Sequence, residues 1–214
     1  MLPYYYMRSI KEDKMKIDIK CLENSTYKLD VSHFKVPDAK GTLFVFPGAG
    51  YNYMGPCLYY PSNLFLEAGY DLVNFEYDFR RTKPDHYGEF YTFLMEYSSQ
   101  CNGPFYAMAK SIGTRILAAA AEELPFEKMI WLTPGYNSEE VHDGIMAAAA
   151  KSFVSIGTKD QLYNADYMDE EKQAGAQLLE LKDTEHGMDV DGDVFASIEN
   201  MNLLVKSIQE FVGF

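Results

Sequence analysis

Three side chains of this 214-residue chain have the types and the order for acyl-transfer chemistry: Ser111, Asp160 and His186. A serine hydroxyl is a poor nucleophile near neutrality unless a neutral imidazole takes its proton as it attacks. A carboxylate on the other ring nitrogen selects the right tautomer and stabilises the imidazolium that forms. Ser111 is the centre of Ala109-Lys110-Ser111-Ile112-Gly113, with a small residue two positions to either side. A chain that turns from strand to helix in so few residues strains its central backbone, and small flanks tolerate that geometry. The turn lifts the hydroxyl to the end of a sheet beside a helix N-terminus, with the Ile112 N–H free to face a developing oxyanion. The same pentapeptide also suits an ordinary turn in which Ser111 caps the helix.

These groups need elements that bring them together. The apolar run up to Met108 predicts a buried strand before Ser111, and the Ala- and Leu-rich stretch from Thr114 through Leu124 predicts a helix after it. Further strands are expected at Thr42–Phe46, Tyr70–Tyr77, Lys128–Leu132, Ser152–Ile156 and Ala176–Leu181, with Thr42–Phe46 and Lys128–Leu132 read as buried. Helices are expected at Leu58–Ala68, Tyr87–Gln100, Ser138–Ala150 and Val194–Phe211. From about Met15 to Val36, period-two alternation predicts edge strands or a hairpin with one face buried, after an extension or edge segment over residues 1–14. Strand alternating with helix, without repeats or low-complexity linkers, reads as one domain over 1–214. Its expected architecture is α/β, a doubly wound, mostly parallel sheet flanked by helices. Asp160 then follows the strand ending at Ile156, and His186 the strand ending at Leu181. Carboxyl ends of parallel strands converge on one edge of a sheet, where residues distant in sequence can meet.

Other candidates are weaker. Asp166 is a substitute carboxylate, about two helical turns beyond Asp160 if that stretch is helical. His33 lies in the N-terminal strands, His86 before a helix and His142 inside one. Lys110, beside the serine, could meet an anionic leaving group, but such a residue more often faces solvent or pairs with an acidic neighbour.

Composition excludes several classes. A net charge of −13 argues against nucleic acid and against an anionic membrane surface. No run of about 18 apolar residues is present to span a membrane, and Met1–Lys16 lacks the pattern of a signal peptide. Three scattered cysteines (Cys21, Cys57, Cys101) suit free thiols in a reducing cytoplasm. Nothing in the sequence calls for a metal or other cofactor.

Phe44-Val45-Phe46-Pro47-Gly48-Ala49-Gly50-Tyr51, Ala109-Lys110-Ser111-Ile112-Gly113, Gly157-Thr158-Lys159-Asp160 and Glu185-His186-Gly187 together resemble a small serine hydrolase of the α/β-hydrolase superfamily, in the style of dienelactone-hydrolase-like proteins, without an inserted lid. The resemblance covers nearly all of the chain from Thr42 onward, with departures at Pro47, where His is usual, at Ala109, where Gly is, and at Thr114. It implies Ser111 as nucleophile, His186 as base and Asp160 as its acid partner. It implies an oxyanion hole from the N–H groups of Ile112 and Ala49, Gly50 being a less favoured donor. Without the superfamily in view, the turn at Gly48–Gly50 could also cradle a phosphate, though no Gly-Lys-Ser/Thr completes a P-loop. Gly50, Tyr51 and Tyr136 are the expected substrate-binding residues, with Tyr53, Tyr59, Tyr60 and Tyr163 also near loop ends. The expected substrate is a small carboxylic ester or thioester, with a short peptide as the alternative; a non-catalytic binding protein on the same scaffold is the rival class.

Overall fold

The computed structural model describes residues 15–23, 28–77 and 87–214. The expected segment 1–14, the loop from Phe79 to Pro84 and His86 lie outside the described residues. Among the described residues, eight strands form one sheet in the order β1-β2-β4-β3-β5-β6-β7-β8. They are β1 (Lys16–Glu23), β2 (Lys28–Lys35), β3 (Thr42–Phe46), β4 (Asp71–Tyr77), β5 (Phe105–Lys110), β6 (Phe126–Leu132), β7 (Ser152–Gly157) and β8 (Gln177–Leu181). From β4 to β8 every pairing is parallel, while β1 and β2 form an antiparallel hairpin added through β2 to β4.

Among the described residues, six α-helices cover the two faces: α1 (Pro56–Glu67), α2 (Tyr87–Ser98), α3 (Gly113–Ala121), α4 (Glu139–Ala147), α5 (Ala165–Ala174) and α6 (Val194–Val212). The core on one face joins Phe44, Phe46 and Trp131 of the sheet to Leu94, Leu117, Ile145 and Met168 of α2 to α5. The core on the other face joins Leu43, Val45 and Ile130 to Leu58 and Phe65 of α1 and to Leu204 and Ile208 of α6. This two-sided burial explains why β3 and the second halves of β5 and β6 are buried without alternation and mostly apolar.

One expectation is corrected and one condition is met. The alternation in β1 does not bury a face: Ile17 and Ile19 remain 38% and 54% exposed, whereas Leu29 and Val31 of β2 are buried. Among the described residues, β1 is the outermost strand, with a neighbour on one side only. The stretch around Asp166, a helix only conditionally in the sequence, is α5, started by Asn164, whose side chain accepts the N–H groups of Asp166 and Tyr167.

Pairing continues one residue past the central strand ends. The Ser111 N–H donates to Leu132 O at 3.0 Å and the Thr133 N–H to Ser155 O at 2.7 Å. The ends of β5, β6 and β7 are thereby held level, and the site is built on that edge.

Candidate active site

β5 delivers Ser111, and α3 starts two residues later. Ser111 has a φ of 53°, the left-handed region that non-glycine residues seldom adopt. Close packing over-determines it. A Cβ on Gly113 would lie 2.2 Å from Phe46 O, so only glycine lets α3 pass under the end of β3. Thr114, fully buried, donates its hydroxyl to Ser111 O and accepts the Gly135 N–H at 3.1 Å. Its bulk is therefore no obstacle to the turn, since the hydroxyl fastens it.

The other two groups arrive from β7 and β8. A Cβ on Gly157 would lie 2.0 Å from Thr184 O, so the loops after these strands touch backbone to backbone there. The Lys159 N–H donates to Thr184 O and the Asp183 N–H to Thr158 Oγ1, zipping the two loops together. Thr184 also accepts from the Asn200 side chain, which ties the histidine loop to α6.

The result is a continuous relay. His186 Nε2 is 2.9 Å from Ser111 Oγ, and His186 Nδ1 is 2.8 Å from Asp160 Oδ2. The Asp160 carboxylate is wholly buried, and its Oδ1 accepts the Leu162 N–H at 2.9 Å. An imidazole that donates Nδ1–H to this carboxylate has Nε2 available to accept the serine proton. The His186 side chain keeps about a third of its surface open, at 32%. Asp166 is exposed in the first turn of α5 and has no part in the relay. His33 binds Tyr97 and Asp71, and His142 binds Glu170 and Glu171, so neither serves as an alternative base here.

The turn after β3 packs on the serine: a Cβ on Gly48 would lie 3.3 Å from Ser111 Cβ. Gly48 and Tyr51 exchange backbone hydrogen bonds of 3.1 and 3.3 Å, which leaves Ala49 and Gly50 exposed at the bend, Gly50 at a φ of 70°. Among the described residues, the N–H groups of Ala49, Gly50 and Ile112 have no acceptor. Ile112 stands at the N-terminus of α3, where the helix dipole favours an anion.

Lys110 departs most from expectation. It is 1% exposed and, among the described residues, makes no ion pair with a carboxylate. Its Nζ donates to Thr133 Oγ1 at 2.9 Å and to His186 O at 2.8 Å, and stands 4.8 Å from the centre of the Tyr51 ring. Burial holds its pKa below the usual lysine value, while Cys57 and Asp160 pull it back up. Thr133, its acceptor, has a φ of 44°, rare for a β-branched residue. From the sequence, Lys110 was considered functional only as a contact for a leaving group and Thr133 was not singled out; the signal available was a lone lysine closing a central apolar strand.

The expected substrate tyrosines divide. Tyr51 stays at the site, half-buried, with its hydroxyl accepting the Cys57 N–H at 3.1 Å. Tyr136 does not: it is 7% exposed, and its hydroxyl donates to Glu171 Oε2 at 2.7 Å, in a buried network with His142. Burial raises the pKa of both Tyr136 and Glu171. Tyr53 is core, edge-on to Phe34, and Tyr163 is paired with Glu180.

No family model and no curated protein matches the sequence. Solved structures match the fold. A lidless α/β serine hydrolase from Xanthomonas campestris is similar at 16% identity and a TM-score of 0.66, over 92% of this chain and 94% of that one. An α/β serine hydrolase homologue from Coxiella burnetii is similar at 14% identity and a TM-score of 0.64, over 89% and 96%. Est1E from Butyrivibrio proteoclasticus is similar at 12% identity and a TM-score of 0.66, over 91% and 97%. The chain has the α/β-hydrolase fold, with no cap domain among the described residues. Among those residues, no helix is long and apolar enough to cross a membrane.

Proposed function

We propose that this protein is a serine hydrolase that cleaves a small carboxylic ester or thioester through an acyl-enzyme on Ser111. The observation that carries the reading is the relay from Ser111 Oγ through His186 to buried Asp160, with links of 2.9 and 2.8 Å, on a serine held at positive φ. Ser111 Oγ attacks the acyl carbonyl carbon while His186 Nε2 takes its proton. Charge that collects on the carbonyl oxygen is met by the N–H groups of Ile112 and Ala49. The tetrahedral adduct collapses, the carbon–oxygen or carbon–sulfur bond to the leaving group breaks, and His186 returns the proton to it. Water then repeats the sequence, freeing the acid and the serine. Asp160 holds the imidazole throughout.

Lys110 acts in this scheme as a positioning residue. Its two hydrogen bonds join the strand that carries the serine to the histidine loop and to Thr133. We place the protein in a reducing compartment, a reading supported by the lack of any disulfide among its three cysteines.

The test is steady-state hydrolysis of p-nitrophenyl acetate by wild type and by Ser111→Ala. A loss of at least about a hundredfold in kcat/KM on substitution supports the reading. A rate that Ser111→Ala shares with wild type contradicts it.

A further inference from the structure

An apolar groove of about 670 Å³ runs between α1 and the first half of α6. Its inner end is made by Tyr51, the residue that closes the turn after β3, and by Gly187 and Met188, which follow His186. It then passes between Tyr60 and Leu64 on α1 and Ile198 on α6. Tyr51 ends the turn after β3 and Gly187 follows His186, so the groove lies beside the place where an acyl carbonyl would meet Ser111, although neither Ser111 nor His186 lines it.

We propose that this groove binds a neutral aliphatic acyl chain, making a medium-chain ester the preferred substrate; the inference rests on the reading of Ser111 as acyl acceptor. Length, polarity and charge support it. The groove flanks α1 from Pro56 to Glu67, a run of 12 residues, and at the helical rise that run is about 17 Å long, enough for an extended chain of roughly eight to twelve carbons. Val194 and Ile198 on α6 are 65% and 60% exposed, on a stretch of helix whose outer face would ordinarily be polar. Apolar surface clustered in this way marks a binding surface. Among the described residues, the charged side chains on the groove are Glu67 and Asp189, and no lysine or arginine lines it. A phosphorylated carrier or a dicarboxylate would lack a cationic partner there, whereas an alkyl chain needs none.

Two readouts test the groove, one of them free of turnover. In the Ser111→Ala background, calorimetric titration should show methyl octanoate binding at least tenfold more tightly than methyl butanoate, because four added methylenes leave water. In active protein, kcat/KM for p-nitrophenyl octanoate should exceed that for the butyrate by at least about tenfold. The Ile198→Asp substitution, on an exposed position of α6, should bring both ratios down toward one. Octanoate preference in the titration, together with absent serine labelling, would keep the groove as a ligand site and remove the hydrolase reading. Hydrolysis of both esters at equal kcat/KM would keep the hydrolase and overturn the groove. A dimer that Ile198→Asp dissociates, with chain-length selectivity unchanged, would make this face a contact between copies and overturn the proposal.

Discussion

Lys110 Nζ donates to the main-chain oxygen of His186 at 2.8 Å, so the residue before the serine holds the loop that carries the imidazole. The same ammonium reaches Thr133 at 2.9 Å, at the end of the neighbouring strand. A solvent-facing lysine would contribute little here. A buried one, bridging three strand-end segments, fixes where the imidazole stands relative to Ser111.

Replacing Lys110 by Met keeps a long aliphatic side chain and removes both hydrogen bonds. We expect kcat to fall by roughly 10- to 100-fold, because small displacements of a reacting group are costly, with KM within about threefold. Stability should stay within about 2 kcal/mol of wild type, since a buried charge is removed along with its bonds. Equal proportional losses in kcat and in folded fraction would reduce Lys110 to a structural role.

The same residue sets a pH dependence of stability. Burial lowers the folded-state pKa of Lys110 below its ordinary 10.5. Its contribution to stability is therefore fully present above 10.5 and lost as pH falls through the folded value. Wild type should gain on Lys110→Met as pH rises toward 10.5. Denaturation midpoints of the two proteins at pH 7 and pH 10 measure this. A difference that shifts against wild type on raising the pH would mean that Lys110 is held as an ion pair, with its pKa raised.

Asp160 and Asp166 are separated by function as well as position. Asp160→Asn should lower kcat by about 10²- to 10⁴-fold with little change in KM, as loss of the orienting carboxylate does in other triads. Asp166→Asn, at an exposed helix start, should cost less than about tenfold. The reverse pattern, with Asp166→Asn crippled and Asp160→Asn near wild type, would reassign the acid.

Gly113→Ala tests the close passage of α3 beneath β3. The new Cβ would lie 2.2 Å from Phe46 O and 2.7 Å from Pro47 O, both backbone atoms. Relief requires the turn after β3 to move, which should destabilise the fold by about 1–3 kcal/mol and lower activity in the protein that remains folded. Wild-type midpoint and wild-type kcat together would show that the contact is soft.

Much of the site was legible because each of its groups follows an apolar run. Ser111 and Asp160 stand just past buried strands and His186 just past β8, buried only at Leu181, and parallel order carries such positions to one edge. Lys110 was misread because β5 was ended at Met108; the strand runs two residues further, and position 110 then falls inside the protein. Tyr136 was placed in the substrate pocket because nothing near it in sequence names Glu171, its partner, on a helix too polar to stand out. The exposed faces of β1 were hidden for a related reason. Alternation reports a strand's two faces, and not whether anything covers them.

The central claim is that Ser111 is an activated nucleophile, and a fluorophosphonate probe asks this directly by phosphonylating a serine whose proton an adjacent base removes. Incubation with the probe followed by peptide mass spectrometry should find one adduct on wild type, on Ser111, and none on Ser111→Ala. Folded wild-type protein that takes up no probe, or takes it up at another residue, would contradict the account.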